Sequence, residues 1–584
     1  MLATSRRPLR ISGEIAWPVP PLALPPPQAR TAREAGAFPA VGLFEDRAAR
    51  VRPDFELTDR NAEDVSAICL ALDGLPLAIE LAAARADVLT PAAIRARLQN
   101  RFDLLVEGGR DLALRQQTLR AAIDWSFALL DDRQRRFFER LGVFAGSFDL
   151  DAAVAVAGHE LPDPLGLLAA LVRQSMAVVV GDDRYRLLDT LSAYANELLD
   201  QSGEAPDTRR RHADFYRARA EVAEAQVRGP EQGPWLASLR ADIANFRAAL
   251  DWAFATGDGP TAARLAGALA WFWTLSGMLD EAIQYHERAL ATPGLSQLVR
   301  ARVLWGFGLL VASLGQLERA RAAGAESVVL AREGGDDQAI GLALNTLAVA
   351  QWALGDPEAA ASHDEALRRF RAAGDLWGEA VCSVLRARTA LDAGEPDARS
   401  MTGSALAAAR ACGDRHVVGI ALEQAARADL FLGDIDAAAA AAREALAAQE
   451  SIGYTEGVVA ALHLLGESHG AAGRFADARG LHLRALELAA RIGHAAATCE
   501  ALEDLARIAA AEAAHGQVIR LLAVARRERG RRNLPLRVPD QRSLEAIERD
   551  ARDALGSPLA VQQRSDVETV GLDDLIAELL GSGR

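Results

Sequence analysis

The sequence predicts an all-α fold whose C-terminal half is a stack of helix pairs. Three observations predict it: a helix-favouring composition, apolar residues at 3–4 spacing, and turn glycines that recur at a fixed period. Ala and Leu dominate while Tyr, Phe and β-branched residues are sparse, a bias toward helix over strand. At 584 residues, half of them hydrophobic and a quarter charged, the chain is long enough for several folded units and does not read as disordered. Its net charge of −15 argues against wholesale binding to nucleic acid or anionic membranes, so a basic surface would have to be local. All 65 basic residues are Arg, since the sequence contains no Lys. The four cysteines, Cys69, Cys382, Cys412 and Cys499, are far apart and predict neither a disulfide framework nor a thiolate metal site. The stretch Leu265 to Met278 is too short to cross a bilayer, and the N-terminus MLATSRRPLR lacks the apolar core of a secretory signal, so a cytoplasmic protein is expected.

In chain order, WPVPPLALPPP at 17–27 cannot be helical, because each Pro lacks an N–H and restricts its predecessor. From about Phe38 the pattern turns helical. Ala62, Val65, Ile68 and Leu72 form one apolar stripe after Thr58-Asp59, Gly74 and Pro76 interrupt it, a second helix runs from Leu77 to Ala86, and Thr90-Pro91 caps a third. Residues 118–200 read as four helices, a hairpin and a helix. The hairpin, Ala177 to Val180 and Tyr185 to Leu188 around Gly181-Asp182-Asp183, follows the helix Asp163 to Gln174 and suggests a winged helix.

From Arg209 onward the chain reads as helical. Gly315, Gly355, Gly394, Gly433 and Gly473 recur every 39 or 40 residues in contexts such as LGQLERA and LGDIDAA, and Gly334, Gly374, Gly413, Gly453 and Gly493 recur at a similar period half a repeat away. Two turns per period mean a two-helix unit. Small residues after the first glycine and Ala-Leu pairs such as Ala366-Leu367 and Ala445-Leu446 let neighbouring helices approach. This is the pattern of a tetratricopeptide-like α-solenoid, which Gly277 and a degenerate turn at Gly516 extend to six or seven pairs.

Several chemistries lack a residue or an element that they require. A phosphate-binding G-x-x-x-x-G-K-[ST] loop requires a Lys, so ATP hydrolysis by this chain is not expected. Gly466-Glu467-Ser468-His469-Gly470 fits G-x-S-x-G, but that nucleophile needs a strand before it and a helix after it, and here it falls inside a repeat helix. His463, His469 and His482 are read as scattered, without the spacing of a zinc helix, so no metal site is expected. The region 95–140 holds ten Arg against seven acidic residues, and Arg209-Arg210-Arg211 is a short basic run. The helix before the wing offers only Arg173, so DNA binding by this chain alone is not expected. Trp271-Phe272-Trp273 is read as core.

LDGLPLAIELAAAR at 72–85, RFDLL at 101–105, RQQTLRAAIDWSFALL at 115–130, FFERLGVFAGSFDLDAA at 137–153, DRYRLLDTLSAYANELL at 183–199, RRRHADFYRARAE at 209–221 and the repeat array together resemble the STAND signal-transduction ATPases. The likeness is to the NB-ARC-like bacterial regulators with LuxR-type or winged-helix outputs (the AfsR-like group). It implies a remnant of the ATPase module, a helical lid plus winged helix, followed by the solenoid, with the phosphate-loop part absent. The implied segments are a terminal strand and connector (1–27), the lid with its GLPLA motif (28–115), the winged helix (116–205), a helical linker and first repeat (206–295), repeats (296–535) and a C-terminal helical cap (536–584). Leu2-Ala3-Thr4-Ser5-Arg6 resembles the family's sensor strand. The resemblance implies that Arg6 senses a γ-phosphate and Pro76 packs on adenine, with ADP or ATP as the cofactor. Where relatives carry a His that contacts ADP, this chain has Leu188.

The expected function is the sensor and relay portion of a transcriptional regulator, not catalytic by itself, binding a protein or small-molecule inducer on its repeats, with self-association implied by the family's switch. Two alternatives stay open: a full ATP-dependent DNA-binding regulator whose phosphate loop and output domain lie outside this chain, and a nucleotide-independent repeat adaptor.

Overall fold

The computed structural model describes residues 21–98, 119–181, 183–532, 534, 536, 538–556 and 571–581. The chain forms two compact units, residues 1–218 with 241–257, and residues 219–240 with 258–584. The long helices Ala205–Gln226 and Gln232–Thr256 are each divided between them.

In the first unit, helices Pro39–Val51, Ala62–Ala71, Pro76–Ala83 and Pro91–Arg97 pack around Phe44, Ile68, Leu72 and Ile79, all fully buried. Asn61, not Thr58 or Asp59, holds the cap position of Ala62–Ala71, and its side chain accepts the Thr58 N–H (2.8 Å), tying the preceding turn to the helix start. Thr90 caps Pro91–Arg97 by accepting the Ala93 N–H (3.3 Å).

The next layer follows the expected order: Leu119–Ala128, Asp132–Leu141, a short helix from Leu150 to Ala157, Pro164–Arg173, the hairpin, and Asp189–Ser202. The strands are β1 (Phe148–Asp149), β2 (Val178–Val179) and β3 (Arg184–Arg186), in the order β1-β3-β2 and antiparallel throughout. Sequence reading missed β1, because a two-residue strand has no periodicity to detect. Gly142 lets Asp132–Leu141 pass against Asp189–Ser202; a Cβ there would lie 2.5 Å from the Asn196 nitrogen. Residues 241–257 complete this unit: Asn245 accepts the Ala145 N–H (3.0 Å) and donates to the Ser147 carbonyl (2.9 Å), and Asp242 pairs with Arg184 (2.6 Å).

The second unit stacks seven helix pairs: Gly259–Ser276 with Leu279–Leu290, Gln297–Ser313 with Leu317–Gly334, Asp337–Ala353 with Ala359–Ala373, Leu376–Ala393 with Ala398–Cys412, Arg415–Leu432 with Ile435–Ile452, Thr455–Ala471 with Phe475–Arg491, and Ala495–Ala511 with His515–Arg532. Val538–Leu555 and Leu572–Gly581 follow. The solenoid is therefore as expected, with two corrections to its turns. Gly334 is the last helical residue, and Gly335 takes the left-handed conformation (φ 69°). Gly516 lies inside a helix, and the left-handed residue of that turn is Ala513 (φ 59°). Small residues set the helix spacing, since a Cβ on Gly324 would sit 3.0 Å from the Leu347 backbone. Among the described residues no helix is long and apolar enough to cross a membrane, and the apolar stretch around Leu265 is buried in Gly259–Ser276.

Candidate binding surface of the repeats

The first helices of three successive pairs begin at the acidic caps Asp336, Asp375 and Asp414, 39 residues apart, because a carboxylate can accept the N–H groups a helix start leaves free. They accept from the N–H groups of Ala339 (2.9 Å), Gly378 (2.8 Å) and Val417 (3.0 Å). Trp377 and His416 stand beside two of these caps, and Trp305 lies in the first helix of the second pair. Trp271 lies edge-on to Trp377 (5.2 Å) and His416 (5.3 Å), so the Trp271-Phe272-Trp273 group is core, as read, while also backing this surface.

The chain's own residues 224–240 occupy this surface. The Arg228 guanidinium lies over the rings of Trp377 (4.3 Å) and Trp305 (5.3 Å), and Arg302 lies over Trp305 (4.5 Å). Both arginines pair with Glu224, Arg228 at 2.8 Å. Burial pushes each guanidinium down to about 10, and the nearby caps oppose that: Asp375 and Asp414 for Arg228, Asp375 and Asp336 for Arg302. Gln232 is fully buried. Its Nε2 donates to Asp414 Oδ1 (2.9 Å) and the Val227 carbonyl (2.8 Å), and its Oε1 accepts the His416 N–H (3.2 Å). Trp377 Nε1 donates to the other Asp414 oxygen (2.9 Å), so this carboxylate has partners on both sides, and burial raises its affinity for a proton. Arg240 donates to the Ile452 carbonyl (3.1 Å). A cleft lined by Pro230, Pro234, Arg240, Arg415, Ser451 and Gly453 stays open beside the segment. The arrangement recognises a guanidinium between indole faces and a primary amide four residues further along the chain. None of these contacts was legible in the sequence, because Gln232 and Asp414 are 182 residues apart.

Of the residues carried over by resemblance, Arg6 lies outside the described residues. Pro76 is the first residue of Pro76–Ala83 and is solvent-exposed. The turn before it is tightly held. Leu22 N–H donates to the Gly74 carbonyl (3.0 Å), and a Cβ on Gly74 would lie 2.3 Å from the Leu22 carbonyl oxygen. Asp73 is buried and meets the end of the hairpin, with Arg186 at 3.5 Å and the Thr190 N–H at 3.4 Å. Burial, then Asp189, pushes its carboxyl up to about 6. The structure thus brings the GLPLA turn to the Arg186-Leu187-Leu188-Asp189 motif, with Leu188 buried, and adds Asp73, which sequence reading did not single out.

Other candidates resolve plainly. Ser468 is buried in mid-helix and donates to the Leu464 carbonyl (2.7 Å), so it is no nucleophile elbow. The basic run is paired: Arg209 with Asp200 (2.7 Å) and Arg210 with Asp207 (3.0 Å). Arg136 and the buried Arg140 both bond Glu204 at 2.7 Å. The helix before the wing presents Leu165 to solvent besides Arg173. The four cysteines are free, and Cys69, Cys382 and Cys499 are buried. The histidines are not all scattered, however. His463 and His482 meet at Asp504, and Glu467 stands four residues after His463 on the same helix face, a spacing the sequence reading overlooked.

No family model matches the chain. A protein of Mycobacterium tuberculosis described as a "Putative HTH-type transcriptional regulator" is 36% identical over 402 residues, 66% of this chain and 43% of that protein, and its Mycobacterium bovis counterpart matches equally. An uncharacterised M. tuberculosis protein is 43% identical over 212 residues, 35% of this chain and 51% of its own length. The chain thus spans less than half the length of the regulators it matches. Among solved structures, a STAND protein with a tetratricopeptide repeat sensor from Pyrococcus horikoshii aligns with TM-score 0.43 and 13% identity, covering 92% of this chain and 75% of that one. A Rap protein in complex with competence and sporulation factor aligns with TM-score 0.42 and 12% identity, covering 63% of this chain and 99% of that one. By sequence, this chain is a relative of proteins described as HTH-type transcriptional regulators.

Proposed function

We propose that this chain is the non-catalytic sensor and relay part of a transcriptional regulator, and that its repeats bind a peptide or protein inducer on the surface now covered by residues 224–240. The observation that carries the reading is the seating of Arg228 and Gln232 against Trp305, Trp377 and Asp414, a mode of contact suited to an exchangeable peptide. An occupant held within the same chain competes at high effective concentration, so an inducer must either outbind it or act after the segment has left.

The test is fluorescence anisotropy with a labelled peptide of residues 224–240. The chain carrying Arg228→Ala and Gln232→Ala should bind the peptide at least about tenfold more tightly than the intact chain, and adding Trp377→Ala should abolish binding. Absence of binding to the double variant would sink the reading.

A nucleotide-switched regulator is the second reading, supported by the contact of Asp73 with the hairpin end beside the GLPLA turn. It predicts ADP binding that Pro76→Ala or Arg186→Ala weakens, measured by titration calorimetry; heat identical to buffer dilution would remove it.

A further inference from the structure

Near the C-terminal end of the array, three consecutive helices converge on a cluster unrelated to the surface above. His463 comes from Thr455–Ala471, His482 from Phe475–Arg491 and Asp504 from Ala495–Ala511, and one potential ligand atom of each lies within 4.8 Å of the other two. Both Nδ1 atoms face the same carboxylate oxygen, His463 at 2.9 Å and His482 at 3.4 Å from Asp504 Oδ2. Around a tetrahedral zinc ion with bonds of about 2.0–2.1 Å, adjacent ligand atoms sit roughly 3.3–3.4 Å apart, so two edges of that polyhedron are nearly in place.

A hydrogen-bonded His–Asp pair in a protein core is the simpler account of His463, but it does not explain the second imidazole. His482 is buried with its Nδ1 turned to an oxygen already used by His463 and makes no hydrogen bond there. Room has been made for it by Gly466, where a Cβ would lie 2.5 Å from His482 Nε2, too close for any other residue without displacing the ring. The charged groups facing the cluster are Glu467 on the first helix, Glu500 and Arg507 on the third, and Arg427 on the neighbouring Arg415–Leu432, with Arg507 at 3.7 Å from Asp504. Glu467 is solvent-exposed, and the side chains of His463 and Asp504 are 10% and 12% exposed, so water can reach a fourth position.

We propose that His463, His482 and Asp504 bind one divalent transition-metal ion, zinc by the donor set, with water as the fourth ligand. Binding displaces the proton between His463 and Asp504 and ties two successive helix pairs together. The full chain, produced without a histidine tag, is loaded with zinc, dialysed against metal-free buffer and analysed for metal. Intact chain should retain one zinc ion and melt several degrees above its chelator-stripped form, while His482→Gln and Asp504→Asn retain none and keep the far-ultraviolet circular dichroism of the parent. Cobalt(II) substitution should give the visible spectrum of a tetrahedral N/O site without a thiolate charge-transfer band, which separates the cluster from the four cysteines. If a variant fails to fold, the cobalt spectrum of the intact chain decides. Zinc retained equally by intact chain and folded variants, an octahedral or thiolate cobalt spectrum, or no retained metal would each overturn the proposal.

Discussion

Asp73 pays a desolvation cost that the rest of its turn does not. Its carboxyl is buried against Arg186 and the start of Asp189–Ser202, yet burial and Asp189 outweigh those partners and hold it near 6, above the usual 3.8. A folded-state pKa above the unfolded value means that the native form binds the proton more tightly. The stabilisation it brings is present below about pH 4 and is lost as pH rises through 6. Two pH units correspond to on the order of 2–3 kcal/mol. Asp73→Asn should therefore remove a pH-dependent loss of protection between about pH 4 and pH 7 in the amides of Ala62–Ala71 and Pro76–Ala83, read by hydrogen exchange. Unchanged pH dependence in the variant would show that Asp73 titrates normally. Beside it, Gly74 has φ 68° and no space for a Cβ, so Gly74→Ala should cost about 2 kcal/mol or more in the same measurement. The sequence made Gly74-Leu75-Pro76 legible as a motif but not Asp73, whose environment is set by residues 113 and more positions away.

At the scale of helices, the repeat was legible because each turn requires a backbone conformation that glycine adopts freely. Gly315, Gly355, Gly394, Gly433 and Gly473 all have positive φ, as do Gly374, Gly413, Gly453 and Gly493. Reading failed where that rule was relaxed: two adjacent glycines left Gly334 and Gly335 ambiguous, and Ala513 adopts the left-handed state itself. Between second helices, ion pairs such as Arg332–Glu365, Arg410–Glu444 and Arg484–Glu450 recur, but they are largely exposed, as with Arg410 and Glu444 at 54% and 50%. Such pairs contribute about 0.2–1 kcal/mol each, whereas overpacking a filled core costs about 1–3. Small-residue packing, not charge, should therefore decide helix association. Arg410→Ala should shift the denaturation midpoint little, while Ala445→Leu, at a fully buried position against Leu422 and Ala461, should lower it clearly. Equal effects would show that the surface pairs matter more than their exposure implies.

In a plain solenoid each pair touches only its neighbours, so local opening near one pair need not be felt several pairs away. Residues 224–240 change this for the middle of the array. They contact Arg302 and Trp305 in the second pair, Trp377 in the fourth, Asp414 and His416 at the start of the fifth, and Ile452 at its end, with sequence separations up to 212. Loss of these contacts leaves Asp414 buried with fewer partners, and an unsatisfied buried polar group costs roughly 1–3 kcal/mol. The chain carrying Arg228→Ala and Gln232→Ala should accordingly lose hydrogen-exchange protection together in Leu376–Ala393 and Arg415–Leu432, by about 2 kcal/mol, while Ala495–Ala511 and His515–Arg532 keep theirs. A uniform loss through His515–Arg532 would mean that the array opens as one body and that the segment is merely one contact among many. No loss in the middle pairs would mean that the segment does not bind them together. The selective loss would make removal of this segment the event that frees the middle repeats, and with them the surface on which an inducer would act.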